Sequence, residues 1–307
     1  MSYSRKDLLD LRSLSPMEIG SILDAADKFR EVLRRPLPKV PALRGKTVGN
    51  LFFEPSTRTR FSFDLAAKRL SADVVNFASS TSSVRKGESL LDSARNIIAL
   101  RVDALIIRHA CSGAAQRLAR AVPVPVINAG DGMHEHPTQG LLDLYSIREN
   151  KKRIKGLTVA ILGDIAHSRV ARSAIWGLTK MGARVRVCCP PPLMPIGIAN
   201  MGVETTFDVD SCVKSADVIM VLRIQRERQD NGSMPALQEY RQFYALTWDR
   251  LTLAKPDAIL MHPGPVNRGV ELPPKLADSA RSIILHQVTN GIAVRMAVLY
   301  ILLARRT

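Results

Sequence analysis

The chain is expected to be an α/β protein built from two doubly wound, parallel-sheet domains. Three observations carry this. Short apolar runs suited to strands alternate with helical runs, and strands separated by helices require right-handed crossovers and a parallel sheet. The same alternation restarts after a charged passage at residues 151–156. A length of 307 residues also exceeds what one small core organises.

The first helix opens at Ser15-Pro16-Met17-Glu18, a capping box with proline at the first helical position. Ile19, Ile22, Leu23, Ala26, Phe29 and Leu33 follow at helical spacing, and Pro36, Pro38 and Pro41 end the helix. Thr47, Val48, Leu51, Phe52 and Phe53 form a strand that turns at Glu54-Pro55. Ser56 is the expected N-cap of the next helix, with Phe61, Leu65 and residues 67–70 as its buried side. A strand is expected at 73–77, a polar loop at 79–88, a helix ending at 96–100, a strand at 104–107, a helix at 113–120 and a strand at 124–128. Pro137 opens a helix that continues to about residue 150.

Beyond the charged passage, strands are expected at 158–162, 184–188, 217–222 and 258–261. A helix is expected at 168–180, ended by Gly182. Pro190-Pro191-Pro192 and Pro195 mark a loop. A last helix covers about 290–306, with Ile292, Met296, Leu299 and Leu303 on one face.

Composition bounds the function classes. Hydrophobic residues make up 46% and charged residues 23%, as in a soluble globular protein. The first seven residues lack the apolar region of a secretory signal, and no run is judged able to span a bilayer, because residues 292–303 are too few and contain Arg295. Cys111, Cys188, Cys189 and Cys212 lack C-x-x-C spacing and read as buried thiols in a reducing, cytoplasmic setting. Neither Cys nor His clusters at metal-ligand spacing, so no metal and no cofactor are expected. A net charge of +16 permits a nucleic-acid partner, but the basic residues are scattered and aromatics are only 5%, so stacking platforms are scarce. The same field suits anionic substrates or an acidic partner protein. Neither nucleic acid nor membrane is expected as a partner.

The polar residues gather where strands end, which is where ligands bind in such sheets. Ser56-Thr57-Arg58-Thr59-Arg60 sets two hydroxyl types and two arginines at a helix N-terminus. Free amides, the positive end of the dipole and Arg58 then converge on one spot suited to phosphate. A plain N-cap beside solvated arginines would use only one of these five residues. Arg108 and His109 close the strand at 104–107. His136-Pro137-Thr138-Gln139 lies between strand and helix, where the dipole disfavours imidazolium and a neutral His136 can donate to a carbonyl oxygen. Gly163-Asp164-Ile165-Ala166-His167-Ser168-Arg169 follows an apolar strand but lacks G-x-G-x-x-G, so it speaks weakly for a dinucleotide. Arg223-Ile224-Gln225-Arg226-Glu227-Arg228 taken alone is a solvated charged helix.

Together these motifs resemble the aspartate/ornithine carbamoyltransferase family. Residues 56–60 after Phe52-Phe53-Glu54 are similar to its carbamoyl-phosphate motif, and His136-Pro137-Thr138-Gln139 to its second signature. The G-D-x-x-x-x-R turn ending at Arg169, the R-x-Q-x-E-R pattern from Arg223, His262-Pro263-Gly264-Pro265, Gln287 and Asn290-Gly291 follow in family order. The resemblance favours the aspartate branch. The D-x-x-x-S-M-G loop of the ornithine branch has only a faint echo from Asp230 to Pro235, and no Cys follows His262.

The resemblance implies a carbamoyltransferase fold. Residues 1–137 would bind carbamoyl phosphate, completed by the C-terminal helix 291–307, and residues 138–290 would bind aspartate. The products would be N-carbamoyl-L-aspartate and phosphate, in pyrimidine biosynthesis. Ser56, Thr57, Arg58 and Lys86 would hold the phosphate, and Thr59, Arg108 and His136 the carbamoyl oxygen. Gln139 and the carbonyls of Pro263 and Gly264 would hold the carbamoyl nitrogen; Arg169, Arg223, Gln225 and Lys86 would hold aspartate, with Arg172 nearby. Ser82 and Lys86 would reach the neighbouring subunit's site, which implies a homotrimer, and the family also allows regulatory or dihydroorotase chains as partners. Gly264 stands where aspartate enzymes usually carry Leu, a change expected to keep the backbone contact and loosen the loop. The rival readings are a carbamoyltransferase for ornithine or another amine, and a non-catalytic basic nucleic-acid-binding or scaffold protein.

Overall fold

The computed structural model describes residues 3–78, 89–225 and 236–304. It divides into two compact units, Met1–Tyr145 with Thr289–Thr307, and Ser146–Val288. The expected boundary at 137/138 lies at the first residue of helix α5 (Pro137–Lys151), and the division falls inside that helix. The chain returns to the first unit within helix α11 (Ile284–Leu303).

The first unit begins with α1 (Pro16–Leu33). Its capping box forms as the sequence suggests: Glu18 N donates to Ser15 Oγ at 3.2 Å and Ser15 N donates to Glu18 Oε2 at 2.8 Å. Then β1 (Thr47–Phe52), α2 (Thr57–Arg69), β2 (Asp73–Ala78), α3 (Leu90–Ala99), β3 (Ala104–His109), α4 (Ala114–Ala121) and β4 (Val126–Asp131) alternate in order. All four strands are parallel, in the order β2-β1-β3-β4. The chain runs outward from β1 to β2, then crosses back to build β3 and β4 on the other side. The switch point therefore lies between β1 and β3. Leu51, Ile97, Leu105, Ile107, Leu118 and Val126 pack α3 and α4 on one face of the sheet.

The buried side of α2 differs from the expected one. Phe61 is 59% exposed, while Thr59, Phe63, Ala66, Ala67 and Leu70 are buried. Those five follow one helical stripe, which includes the expected Ala67 and Leu70, and positions 61 and 65 fall on the opposite side.

The last helix also departs from expectation. It begins at Ile284, and by length and composition its 20 residues suffice to cross a membrane, which corrects the reading of residues 292–303 as too few. Of its apolar window, 61% is buried inside the protein, as in a core helix. Tyr300 meets Phe29 of α1 edge-on at 5.5 Å between ring centroids, and Arg295 donates from Nη1 to Ser62 Oγ of α2 at 2.9 Å.

The second unit holds β5 (Thr158–Leu162), α6 (Arg169–Lys180), β6 (Arg184–Cys188), β7 (Glu204–Thr206), α7 (Val209–Val213), β8 (Val218–Val221), α8 (Leu237–Phe243), α9 (Trp248–Thr252), β9 (Ile259–Met261) and α10 (Pro274–Ala277). Its strands are all parallel, in the order β7-β6-β5-β8-β9. Here the switch point lies between β5 and β8. Strand β7 was not expected because Glu204, Thr205 and Thr206 offer no apolar face; it is held by its backbone register with β6. Cys188, Cys189 and Cys212 are buried, and burial pushes the Cys188 thiol up to about 12. Cys111 is exposed in the turn after β3, contrary to the expectation of four buried thiols.

Candidate active site

At the switch point of the first sheet, Phe53 N donates to Arg108 O at 2.9 Å, so the turn after β1 runs beside the end of β3. This brings two side chains together. Arg108 Nη2 donates to Glu54 Oε1 at 3.2 Å, and its Nη1 donates to Ala129 O in β4 at 3.3 Å. The guanidinium is thus clamped between the motif turn and the next strand, with only 12% of the side chain exposed.

Beyond Glu54 the chain enters α2. Ser56 occupies the N-cap, yet its hydroxyl makes no capping hydrogen bond. Ser15, Ser89 and Ser168, in the same position on other helices, all cap. No acidic residue lies in the first turn of α2 to oppose an anion. Thr57 and Arg58 are exposed, Ser56 and Arg60 are half-buried, and Thr59 is buried. The arrangement offers hydroxyls, first-turn amides and a guanidinium to one anion.

His136 precedes Pro137 at the start of α5 and is buried, its carbonyl accepting from Gln139 N at 2.9 Å and Gly140 N at 3.1 Å. A buried polar network fixes the approach to it. Asp131 accepts from Gly113 N and from Asn128 Nδ2, each at 2.7 Å. Glu135 accepts from Leu11 N at 2.8 Å and Arg12 N at 3.2 Å. The hydrogen bond to Asp131 pushes His134 up, whereas burial pushes His109 down. One turn into α5, Gln139 Nε2 donates to Asp143 Oδ1 at 3.0 Å.

The second group of candidate residues surrounds the switch point between β5 and β8. Gly163 leaves β5 at φ +125°, and a Cβ there would lie 2.7 Å from Leu222 O. Asp164 is fully buried and accepts from His167 N at 3.1 Å. Ser168 Oγ caps α6 by accepting from Ala171 N at 3.1 Å, and Arg169 is the first helical residue, buried; Arg172 is half-buried. Arg223 and Gln225 follow β8 and are half-buried, and Asn267 Nδ2 donates to Ile224 O between them at 3.3 Å.

Pro263 and Gly264 follow β9 in a tied loop. His262 N donates to Gln287 Oε1 at 3.0 Å, and His262 Nδ1 accepts from Gly264 N at 2.8 Å. His262 Nε2 lies 3.3 Å from Glu271 Oε1, which also accepts from Asn267 N at 2.6 Å. An Nδ1 that accepts requires the Nε2–H tautomer, which donates to the carboxylate. Gly264 sits at φ +69°, a left-handed value at which Leu would be strained. Glycine takes this value without strain, and His262 and Glu271 tie the loop by hydrogen bonds.

Comparison with known proteins decides the family. A family model described as "Aspartate/ornithine carbamoyltransferase, carbamoyl-P binding domain" matches residues 6–149, and its companion, the "Asp/Orn binding domain", matches residues 155–302. The chain belongs to the aspartate/ornithine carbamoyltransferase family. The aspartate carbamoyltransferase catalytic subunit of Moorella thermoacetica is 56% identical over 303 residues, covering 99% of both chains. That of Geobacter sulfurreducens is 56% identical over 301 residues, covering 98% of this chain and 97% of its own. Among solved structures, ornithine carbamoyltransferase from Pyrococcus furiosus matches with a TM-score of 0.88, 31% identity and full coverage of both chains. Aspartate transcarbamoylase from Trypanosoma cruzi in complex with carbamoyl phosphate matches with a TM-score of 0.87 and 31% identity, over 96% of this chain and 95% of that one.

In this carbamoyltransferase the residues singled out from sequence form two groups. Ser56, Thr57, Arg58, Thr59, Arg108, His136 and Gln139 lie in the first unit, at or beside the switch point of its sheet. Arg169, Arg223, Gln225, Pro263 and Gly264 lie in the second, around strand ends β5, β8 and β9. Ser82, Lys86 and residues 226–235 lie outside the described residues. Sequence reasoning missed Glu54, Asp143 and Glu271. Asp143 carries a signal in hindsight, since it is four residues from Gln139 on one helix face. Among the described residues, no group of three or more His, Cys, Asp or Glu is set to hold a metal ion.

Proposed function

We propose that this protein transfers the carbamoyl group of carbamoyl phosphate to the α-amine of L-aspartate, giving N-carbamoyl-L-aspartate and phosphate for pyrimidine biosynthesis. The observation that supports this is that Ser56 heads α2 without capping it, next to Arg58 in the chain, while Glu54 of the same motif holds Arg108 at the switch point of the first sheet. Identity above half to aspartate carbamoyltransferase catalytic subunits supports aspartate as the acceptor.

The chemistry needs no covalent nucleophile. The amine attacks the carbamoyl carbon, phosphate leaves, and the leaving phosphate can take the amine proton. The protein must bring two mutually repelling anions together and hold them. Ser56, Thr57 and Arg58 bind the phosphate, with Ser82 and Lys86 from a neighbouring subunit of a homotrimer. Thr59, Arg108 and His136 donate to the carbamoyl oxygen as it gains charge, where one donor is typically worth on the order of 100-fold in rate. Gln139 and the carbonyls of Pro263 and Gly264 take the carbamoyl nitrogen. Arg169, Arg223, Gln225 and Lys86 take the carboxylates of aspartate. The trimer works in the cytoplasm, alone or with regulatory or dihydroorotase chains.

The test is carbamoyl transfer by the purified chain, with aspartate and ornithine run side by side and the oligomer mass recorded. Carbamoyl aspartate from a trimer is expected, and an Arg223→Ala variant should lose aspartate affinity. Turnover of ornithine instead would overturn the assignment of Arg223 and Gln225.

A further inference from the structure

We propose that Asp143 fixes the orientation of the Gln139 amide and so makes the site select a donor that carries N–H at the transferred carbon. Asp143 is a positioning residue, and the inference rests on the reading that Gln139 faces the carbamoyl nitrogen.

Gln139 and Asp143 are stacked on one face of α5, and both are buried. The contact between Gln139 Nε2 and Asp143 Oδ1 is 3.0 Å. A carboxylate can only accept, so the amide must turn its NH2 toward Asp143 and its Oε1 away. That oxygen has no donor capacity. Whatever completes it must bring an N–H or O–H. A carbamoyl NH2 does so; an acyl phosphate with methyl in that place leaves the oxygen unsatisfied, and an unsatisfied buried acceptor is costly.

The Arg295 guanidinium of α11 lies within electrostatic reach of Asp143. Burial pushes the Arg295 guanidinium down to about 10, and the Asp143 carboxylate is the charge that opposes the fall. Arg295 is itself fixed: Nη1 donates to Ser62 Oγ, and the guanidinium lies 5.1 Å from the Phe63 ring centroid. Space for it depends on Gly291, one turn earlier, where a Cβ would lie 2.5 Å from Arg295 Nη1. A buried charge held near a carboxylate in this way contributes little net stability. What it supplies is one direction for one amide.

The experiment compares carbamoyl phosphate with acetyl phosphate, its methyl analogue. On the assembled enzyme, KM for carbamoyl phosphate and the competitive inhibition constant of acetyl phosphate are measured, and their ratio is the selectivity. In Asp143→Asn the neighbour can donate as well as accept, the Gln139 amide is free to flip, and selectivity should fall about tenfold, through a weaker carbamoyl phosphate KM. A general structural defect would weaken both ligands together, and an unchanged ratio overturns the proposal. Gln139→Ala separates the two layers. If it leaves the ratio intact, the reading of Gln139 fails; if it collapses the ratio and Asp143→Asn does not, the orientation mechanism fails. Should Asp143→Asn not fold, Arg295→Lys is expected to keep the ratio and Arg295→Met to lower it, and equal ratios in these two overturn the proposal.

Discussion

Gly163 and Leu222 are in backbone contact at the switch point of the second sheet, where a Cβ on Gly163 would come within 2.7 Å of the Leu222 carbonyl oxygen. Leu222 N in turn donates to Leu162 O at 2.7 Å. The turn carrying Arg169 and the turn carrying Arg223 are therefore spaced by a glycine. Gly163→Ala places a side chain at φ +125° as well as in this contact, at a cost of about 1–3 kcal/mol. Denaturant unfolding should show that loss, and steady-state kinetics should show a raised KM for aspartate. A variant with wild-type stability and KM would contradict the close approach.

Two serines in the same helical position should behave in opposite ways. Ser15 caps α1, whereas Ser56 heads α2 without capping it. Ser15→Ala is expected to lose about 1 kcal/mol of stability with kinetics intact. Ser56→Ala is expected to keep its stability and weaken carbamoyl phosphate. Paired urea melts and initial-rate assays decide the point, and a stability loss at Ser56 as large as that at Ser15 would remove the case for a ligand-facing hydroxyl.

Arg108 takes its aim from Glu54, whose carboxylate accepts from Nη2 at 3.2 Å. Removing that acceptor in Glu54→Ala leaves Ala129 O as the remaining anchor among the bonds described above. A displaced donor of the order of 1 Å costs about 100-fold in rate. The expected outcome is a loss in kcat, with the KM for aspartate little changed. An unchanged kcat would show that the ion pair does not position Arg108.

The Arg5 guanidinium beside Glu18, and the Ser15 amide, hold the Glu18 carboxyl down to about 2 from 4.5. A depressed folded pKa stabilises the native state above the unfolded value and stops doing so as the group protonates. The contribution should therefore be full above about pH 4.5 and disappear on the way down to about pH 2. Arg5 is 38% exposed, so solvent screens the pair and the effect is modest. Chemical unfolding of wild type and Glu18→Gln across that range should give a difference that shrinks with falling pH. A pH-independent difference would assign the effect to packing.

Much of the framework was readable from local chemistry. The strands at residues 158–162 and 184–188 have the expected bounds, because each is a short run held between glycine or charged neighbours and a turn. Helices α1 and α6 start where Ser15 and Ser168 supply caps. Strand β7 escaped notice, because an edge strand of Glu and two Thr is held by backbone pairing alone. Helix α2 starts after Ser56 as expected and buries Ala67 and Leu70, but Phe61 and Leu65 lie on its outer face, because apolar side chains alone do not show which face of a helix meets the sheet.

By itself the sequence determined two α/β halves, their breaks, and which strand ends carry arginines, hydroxyls, His136 and Gln139, because capping, periodicity and apolar runs act over a few residues. Only the tertiary structure decided which of these meet. Glu54 reaches Arg108 because β1 pairs with β3 as well as with β2. Arg295 reaches Ser62, 233 residues away in sequence, because α11 returns to the first unit, and Gly163 meets Leu222 because β5 lies beside β8. Pairing order and helix return are settled by which buried faces fit, a property of the whole chain that no local pattern encodes.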